Sequence, residues 1–455
     1  MENKSNPNSV LFVICLSSVL VPFMSSALNL ALPRINEDLS INAVTSGWIQ
    51  ASYMLSTAIF QIPCARIADM VGRRKIFTWG VLIFTIFSFI SCFAFSGFSL
   101  VIYRFFSGIG SAMMFGTGMA ILTASVSPEK RGWALGINVA TVYFSLASGP
   151  FFGGILTQYF NWHSIFLVAA IIGVMVIIGS FLFIKEEVKP DQTGKFDYIG
   201  SLLYAVGLSS IIYGFSQLPH LMGFGLLTTG PIILFFFFRY EQKQEQPVFD
   251  VNVFFGNRLF KLSSVAALIN YAATFAISFM LSLYLQYVRG LQPRDAGLIL
   301  IVQSLFMAIV SLVSGRMSDK VSPAVLATTG MSIILAGLIG LCFITESSSL
   351  YLIIMYLALL GLGFGIFSSP NTNMIMSSVE KKHYSQASAV SGTMRLTGQA
   401  FSMGIAMMAI SLQIGNAPLS YNVHTGLINS MRITFIICSV LCVFGIYASS
   451  VRSKK

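Results

Sequence analysis

Charge is what this chain has least of. Asp, Glu, Lys and Arg make up 9% of its 455 residues, against 55% hydrophobic residues, and the mean hydropathy is +0.80. Soluble domains carry about a quarter charged residues, because a core of this size needs polar surface to cover it. A water-soluble fold is therefore excluded, and the composition implies a polytopic membrane protein. Acids are the scarcer sign, 16 against 27 Lys and Arg, for a net charge of +11. The excess cations punctuate apolar runs rather than forming a basic face, so a nucleic-acid partner is not implied. Histidine is rarer still: His163, His220, His383 and His424 fall in loops or at the ends of apolar runs.

Other absences narrow the function. The six cysteines (Cys15, Cys64, Cys92, Cys342, Cys438, Cys442) lie within apolar stretches, with no histidine spacing that suits zinc. They read as small core hydrophobes, and no metal site is expected. A Gly-x-x-x-x-Gly-Lys-Ser/Thr loop is missing, which excludes a nucleotide-driven pump. No cluster of nucleophile, base or metal ligand falls at membrane depth, so an enzyme is not expected. The first apolar run reaches Leu32 and lacks a small-residue cleavage pattern, so it reads as a membrane helix and not as a removable signal.

What the chain has in abundance is long apolar runs. A helix needs about 20 apolar residues to cross a bilayer. Fourteen such runs are read, at 10–32, 45–67, 76–96, 99–126, 133–159, 162–184, 198–217, 221–238, 262–287, 296–317, 323–344, 349–378, 384–413 and 426–450. If the N-terminus is cytoplasmic, 21 of the 27 Lys and Arg fall on that side, only Arg34, Arg289 and Arg294 fall outside, and Arg104, Arg395 and Arg432 lie within runs. By the positive-inside rule both termini are expected in the cytoplasm of a cell whose membrane the chain crosses many times.

Two landmarks recur. Asp69 follows run 2 and Asp319 follows run 10, 250 residues later; Glu129-Lys130-Arg131 follows run 4 and Glu380-Lys381-Lys382 follows run 12, 251 residues later. The offset equates runs 1–6 with 9–14, in the same orientation, and leaves two runs as an insert. The expected architecture is an all-α polytopic membrane protein with 14 transmembrane helices. Residues 1–184 form one six-helix bundle, 185–261 a linker with two inserted helices, and 262–455 a second six-helix bundle, a parallel repeat about an axis along the membrane normal.

The densest charge lies in residues 65–75, ARIADMVGRRK. This stretch resembles the loop 2–3 signature of the major facilitator superfamily, Gly-x-Leu-Ala-Asp-Arg-x-Gly-Arg-Arg/Lys. Asp69, Gly72, Arg73 and Arg74 match, with Ala65 for the leading Gly and Met70 for the first Arg. RFFSGIG, with Arg104, Gly108 and Gly110, is similar to the span 4 pattern. SLASGPFFGG, with Gly149, Pro150, Gly153 and Gly154, is similar to the span 5 antiporter signature, Ser145 standing for its first Gly. The run count, EQPVFDVNVFFGNRLF and GLGFGIFSSPNTNMIM resemble the fourteen-span drug:proton antiporters, and the resemblance covers essentially the whole chain.

That resemblance implies the major facilitator fold and export of small amphipathic compounds, that is drug or multidrug efflux, by proton antiport. The alternative is a metabolite importer or exchanger of the same fold without proton coupling. It implies a conformational latch at Asp69, Gly72, Arg73 and Arg74, with Asp319 and Arg316 as a second one; on topology alone, the basic residues need do no more than orient the chain. The Gly149-Pro150 motif is either a bending point or plain close packing. Arg104 is either a proton relay or a structurally paired charge. Arg395 lies about eleven residues into its run, roughly 16 Å at 1.5 Å per residue, and should face a cavity or another helix.

One expected group is missing. Where the fourteen-span antiporters carry an aspartate in the first span, this chain has Met24, and none of its acids lies deep in a run. Three accounts stay open: peripheral acids such as Glu37, Asp38 or Asp295 carry the proton, the substrate is charged and Arg395 is its counter-ion, or coupling is absent. The same gap argues against polycationic cargo and for neutral or anionic amphipathic compounds. Candidates to line the cavity are Met24, Asn29, Gln50, Tyr53, Met113, Met114, Asn270, Tyr271, Gln303 and Asn373. A small-molecule substrate, the lipid bilayer, a monomer and no cofactor beyond a proton gradient complete the expectation.

Overall fold

A computed structural model describes residues 6–127, 130–184, 196–244, 247, 249, 251–318, 320–379, 384–415 and 424–450. These residues form helices and their connectors. In chain order they are α1 (Pro7–Asp38), α2 (Ala43–Val71), α3 (Arg73–Ser91), α4 (Gly97–Ser125), α5 (Arg131–Phe160), α6 (His163–Phe183), α7 (Tyr198–Ser216), α8 (Leu221–Glu241), the single short α9 (Val251–Gly256), α10 (Arg258–Leu283, continued by a π-helical turn, Tyr284–Val288), α11 (Pro293–Met317), α12 (Pro323–Leu341), α13 (Leu350–Ser377), α14 (Tyr384–Gln413) and α15 (His424–Ser449).

Local chemistry explains several starts. Asn42 accepts the Thr45 N–H at 2.7 Å, Ser96 and Ser99 form a reciprocal capping box, and Asn257 accepts the Phe260 N–H at 3.0 Å. Each satisfies donors that a helix start leaves open. The shortest long helices, with 19 residues, reach roughly 28 Å at 1.5 Å per residue, close to the hydrocarbon thickness of a bilayer.

Among the described residues, twelve helices are long and apolar enough to cross a membrane. Of the fourteen apolar runs read from the sequence, the two that fall outside this set are α2 and α14. Both have a physical reason for their polarity. Gln50, Ser56, Thr57 and Gln61 of α2, and Thr393, Thr397 and Ser402 of α14, are all buried, and the two helices pack on each other. Their polar groups face protein. Lipid-facing surfaces read differently: Leu167, Ile171, Val174 and Ile178 of α6, and Ile436, Val440, Val443 and Phe444 of α15, are all exposed.

Helix pairing repeats through the chain. In the first set α2 and α3 pack on α4, α1 on α5 and α6, and α3 on α6. In the second set α11 and α12 pack on α13, α10 on α14 and α15, and α12 on α15. The correspondence extends to single glycines. A Cβ on Gly110 would stand 2.6 Å from the Gly80 carbonyl oxygen and 2.6 Å from the Phe84 nitrogen, and a Cβ on Gly363 would stand 2.7 Å from the Gly330 carbonyl oxygen and 2.8 Å from the Ile334 nitrogen. Gly80 and Gly330, like Phe84 and Ile334, are 250 positions apart. The α3–α4 and α12–α13 contacts are thus one close helix crossing made twice.

The two sets meet along two seams, α2 with α14 and α5 with α11, while α7 pairs with α8 and touches α2 and α14. Hydrogen bonds join the sets at the end remote from residues 65–75. Ser282 Oγ donates to the Asn29 carbonyl at 2.6 Å, Gln286 Nε2 to the Leu30 carbonyl at 3.2 Å, Tyr287 OH to the Pro33 carbonyl at 3.2 Å, and the Arg294 N–H to Gln158 Oε1 at 3.3 Å. That end is sealed.

Candidate functional site

Residues from both sets converge halfway along their helices. Tyr143 of α5 and Ser368 of α13 share a hydrogen bond of 2.8 Å across the boundary. The Tyr271 ring stands edge-on to Phe364 of α13, with centroids 5.4 Å apart. Arg395 of α14 crosses the boundary in the other direction, its guanidinium carbon 5.2 Å from the centre of the Phe115 ring of α4. Phe115, Tyr143, Tyr271 and Arg395 are each half-buried, while Phe364 and Ser368 are buried. Half-burial at mid-span leaves these side chains some accessible surface between helices that face each other. The ion pairs among the described residues, Arg34–Glu37 and Arg73–Asp69, lie at helix ends, so Arg395 has no carboxylate partner there.

Arg104 is a second cation at depth. It is fully buried, stacked 4.0 Å from the centre of the Tyr53 ring. Its Nε donates to the Ile49 carbonyl at 3.4 Å, and both terminal nitrogens are buried without a hydrogen-bond partner among the described residues. It does not snorkel to the membrane surface; it turns inward onto α2. Tyr53 in turn donates to Ser111 Oγ at 3.1 Å. Arg432 behaves like a surface group, exposed and bonded to the Cys342 carbonyl at 3.2 Å.

Among the candidate lining residues, Tyr271 belongs to the mid-span cluster. Met24, Asn29, Gln50, Tyr53 and Asn270 are enclosed within the helix sets. Gln50 Nε2 donates to the Ser25 carbonyl at 2.8 Å, and Asn270 Nδ2 points at Met331 Sδ at 3.1 Å, so these polar groups bind helix to helix. Met113 is half-buried and Met114 buried against α3 near Gly80. Gln303 is nearly buried, whereas Asn373 is exposed and donates to Ser318 Oγ at 3.2 Å.

The glycine-proline motif sits between two helices. A Cβ on Gly149 would overlap the Ser26 hydroxyl of α1, one on Gly153 would stand 2.6 Å from Ala27 Cα, and one on Gly154 would stand 2.6 Å from the Pro293 carbonyl oxygen of α11. From the other side, Gly297 of α11 lies against the Pro150 carbonyl. At residues 65–75, Asp69 accepts from Arg73 Nε at 2.9 Å within the turn, and Gly72 sits at φ 122°, a left-handed backbone that favours glycine. Arg74 lies in the first turn of α3, and Arg316 is exposed in the last turn of α11. Asp319 lies outside the described residues.

Phe115, Tyr143, Phe364 and Ser368 are absent from the sequence-derived candidates. An aromatic ring in an apolar helix carries no periodic mark; the available hint was Tyr143, a hydroxyl two residues before the Ser145 of the glycine-proline motif. A separate apolar groove of about 540 Å³ lies between α2, α4 and α7, lined by Trp48, Leu55, Val101, Phe105 and Tyr213 among others. It contains none of the cluster residues.

A family model described as "Major Facilitator Superfamily" matches residues 14–403. The chain is 30% identical over 400 residues to the riboflavin transporter RibZ of Clostridioides difficile, covering 88% of this chain and 87% of that one. It is 28% identical over 438 residues to the cephamycin export protein CmcT of Amycolatopsis lactamdurans, covering 93% and 89%. Among solved structures, a bacterial homolog of the human lysosomal transporter Spinster, inward-facing and occupied, matches with a TM-score of 0.71 at 17% identity, covering 98% of this chain and 97% of that one.

Proposed function

The chain belongs to the Major Facilitator Superfamily and is a multi-pass membrane transporter; on that premise we propose that it exports small amphipathic compounds across the cell membrane by alternating access. One observation carries the reading. The mid-span cluster draws residues from both helix sets, Tyr143 to Ser368 and Phe115 to Arg395, while the sets are joined at one end by the hydrogen bonds of α1 with α10 and α5 with α11. A site shared by two bodies and sealed on one side is what a rocking transporter requires.

In this reading all fourteen long helices cross the membrane, α2 and α14 as the polar inner pair. Residues 1–184 and 262–455 are the two moving bundles, and 185–261 is the insert. The basic end is cytoplasmic with both termini, the sealed end faces outward, and the protein works as a monomer. Asp69 pairs with Arg73 inside its own turn in this inward-open state and engages the opposite bundle in the outward-open one. Drive comes from the proton gradient through acids at the outer end, where Asp38 accepts from Trp162 Nε1 at 2.9 Å. Direction rests on the glycine-proline motif of α5 and on the likeness to an export protein. A second reading, import or exchange of a metabolite, is favoured by the likeness to a riboflavin transporter.

The test is a growth panel in an efflux-deficient bacterium, comparing the chain, its Asp69→Asn variant and empty vector against cationic, neutral and anionic toxic compounds. Protection by the native chain, lost in the variant, is the expected outcome. Sensitisation in place of protection reverses the direction, and strong resistance to dications removes the argument from the missing acid.

A further inference from the structure

Arg395 places a full positive charge halfway along α14, facing the opposite bundle, in a chain with no acid deep in any of its membrane runs. Charges at that depth are costly and persist where function holds them. What surrounds this one is weak compensation: the face of Phe115 and the nearby phenols of Tyr143 and Tyr271, both within electrostatic reach of the guanidinium. A ring face or a neutral hydroxyl stabilises a cation far less than a carboxylate does. The site therefore keeps a net positive potential, and the hydrogen bond of Tyr143 with Ser368 helps hold its geometry across the boundary.

The walls are aromatic. Phe115, Tyr143, Tyr271 and Phe364 come from four different helices: Phe115 faces the guanidinium, Tyr143 and Tyr271 lie within its electrostatic reach, and Phe364 packs edge-on to Tyr271. Rings in such a setting take a flat apolar body by stacking or edge contact. Arg adds a planar donor fork suited to an oxyanion. We infer that the central site, read as the transport site proposed above, selects planar aromatic compounds that carry one negative charge, with Arg395 as the counter-ion and Phe115, Tyr143, Tyr271 and Phe364 as the ring walls.

Two consequences follow from the physics. A cationic cargo meets Arg395 as a like charge with no carboxylate paired to it among the described residues, so cations are rejected. An uncharged aromatic leaves Arg395 uncompensated, so it binds more weakly than its anionic counterpart. The vacant aspartate position at Met24 then has an account: a carrier of anions has no use for an acid at mid-depth.

The test uses the full-length purified protein with three probes: naphthalene sulfonate, its uncharged sulfonamide, and cyclohexane sulfonate, which keeps the charge and drops the aromatic ring. Binding is measured by equilibrium dialysis, and flux of the sulfonate in proteoliposomes. The native protein should bind naphthalene sulfonate about tenfold or more tightly than either other probe. Arg395→Gln should remove most of that preference while leaving sulfonamide binding within about twofold, and Arg395→Lys should restore part of it, since a point charge replaces a planar fork. Equal loss for sulfonate and sulfonamide in Arg395→Gln would mean a structural role and would overturn the assignment. If the sulfonate is carried but the sulfonamide is bound as tightly, the transporter reading stands and the anion class falls. If protein that elutes as one folded species carries none of the aromatic probes, the transport reading falls and this inference with it.

Discussion

Arg104 and Arg395 both sit at membrane depth, in α4 and α14, and their surroundings differ in kind. Arg104 is fully enclosed by its own bundle, stacked on Tyr53 and held to the Ile49 carbonyl. Arg395 is half-buried, and its partner ring, Phe115, belongs to the other bundle. A charge at the bilayer centre costs at least about 3 kcal/mol wherever it sits. At Arg104 that cost is met within one helix set. At Arg395 the contacts cross between the two sets, so under the proposed rocking cycle they would change while those of Arg104 would not. The same residue type is thus enclosed in one place and shared between two helix sets in the other, and the difference is which set its neighbours belong to.

The contrast can be broken most severely at Arg104. Arg104→Ala removes a buried stacked side chain and leaves a cavity beside Tyr53; we expect about 3 kcal/mol of destabilisation, read as a large drop in the melting midpoint of the detergent-solubilised protein. Arg104→Met keeps most of the volume without an unpartnered charge and should recover much of that loss. A Met variant as unstable as the Ala variant would show that the charge itself is needed.

The seam between α5 and α11 should respond next. Gly154→Leu forces a side chain into the space held by the Pro293 carbonyl oxygen; overpacking of this kind costs about 1–3 kcal/mol, and transport should fall by more than the folded fraction does. Transport that scales only with the amount of folded protein would make the glycine a plain packing device.

At the sealed end, Tyr287→Phe deletes the hydroxyl that donates to the Pro33 carbonyl and should weaken closure by about 1 kcal/mol. The expected readout is greater labelling, by a membrane-impermeant thiol reagent from outside, of a cysteine introduced at Ser282. Unchanged labelling would count against the seal. Arg395→Gln should have the smallest effect on stability, neutral to stabilising by up to about 1 kcal/mol, because it removes a charge without a carboxylate partner. A melting midpoint that drops as far as in Arg104→Ala would erase the contrast between the two arginines.

Much of the fold was legible in the composition and run lengths. The run read at 349–378 is α13, Leu350–Ser377, and the run read at 76–96 is α3, Arg73–Ser91. The repeat was visible through two charged landmarks, and the structure adds a matched pair of glycine crossings, Gly80 with Gly110 and Gly330 with Gly363. The site was less legible. Asn29, Gln50 and Asn270 drew attention because polar groups are rare in apolar runs, yet short amides also serve to bind one helix to another, and here they are enclosed. Tyr143 and Phe115 escaped notice because, in lipid as in a core, an aromatic side chain is the ordinary filler.

By itself the sequence determined that this protein lives in a membrane, crosses it many times with its cations gathered toward one side, and repeats its plan at an offset of 250 residues. Those properties depend on hydropathy, charge and spacing, all of which are sums along the chain. Tertiary structure decided which cation is enclosed and which is half-buried, that the polar groups of α2 and α14 are buried against neighbouring helices, and that Tyr143 meets Ser368 across the boundary at mid-span. These depend on the rotation of each helix about its own axis, and in runs apolar on nearly every face that rotation is set by packing against neighbours hundreds of residues away.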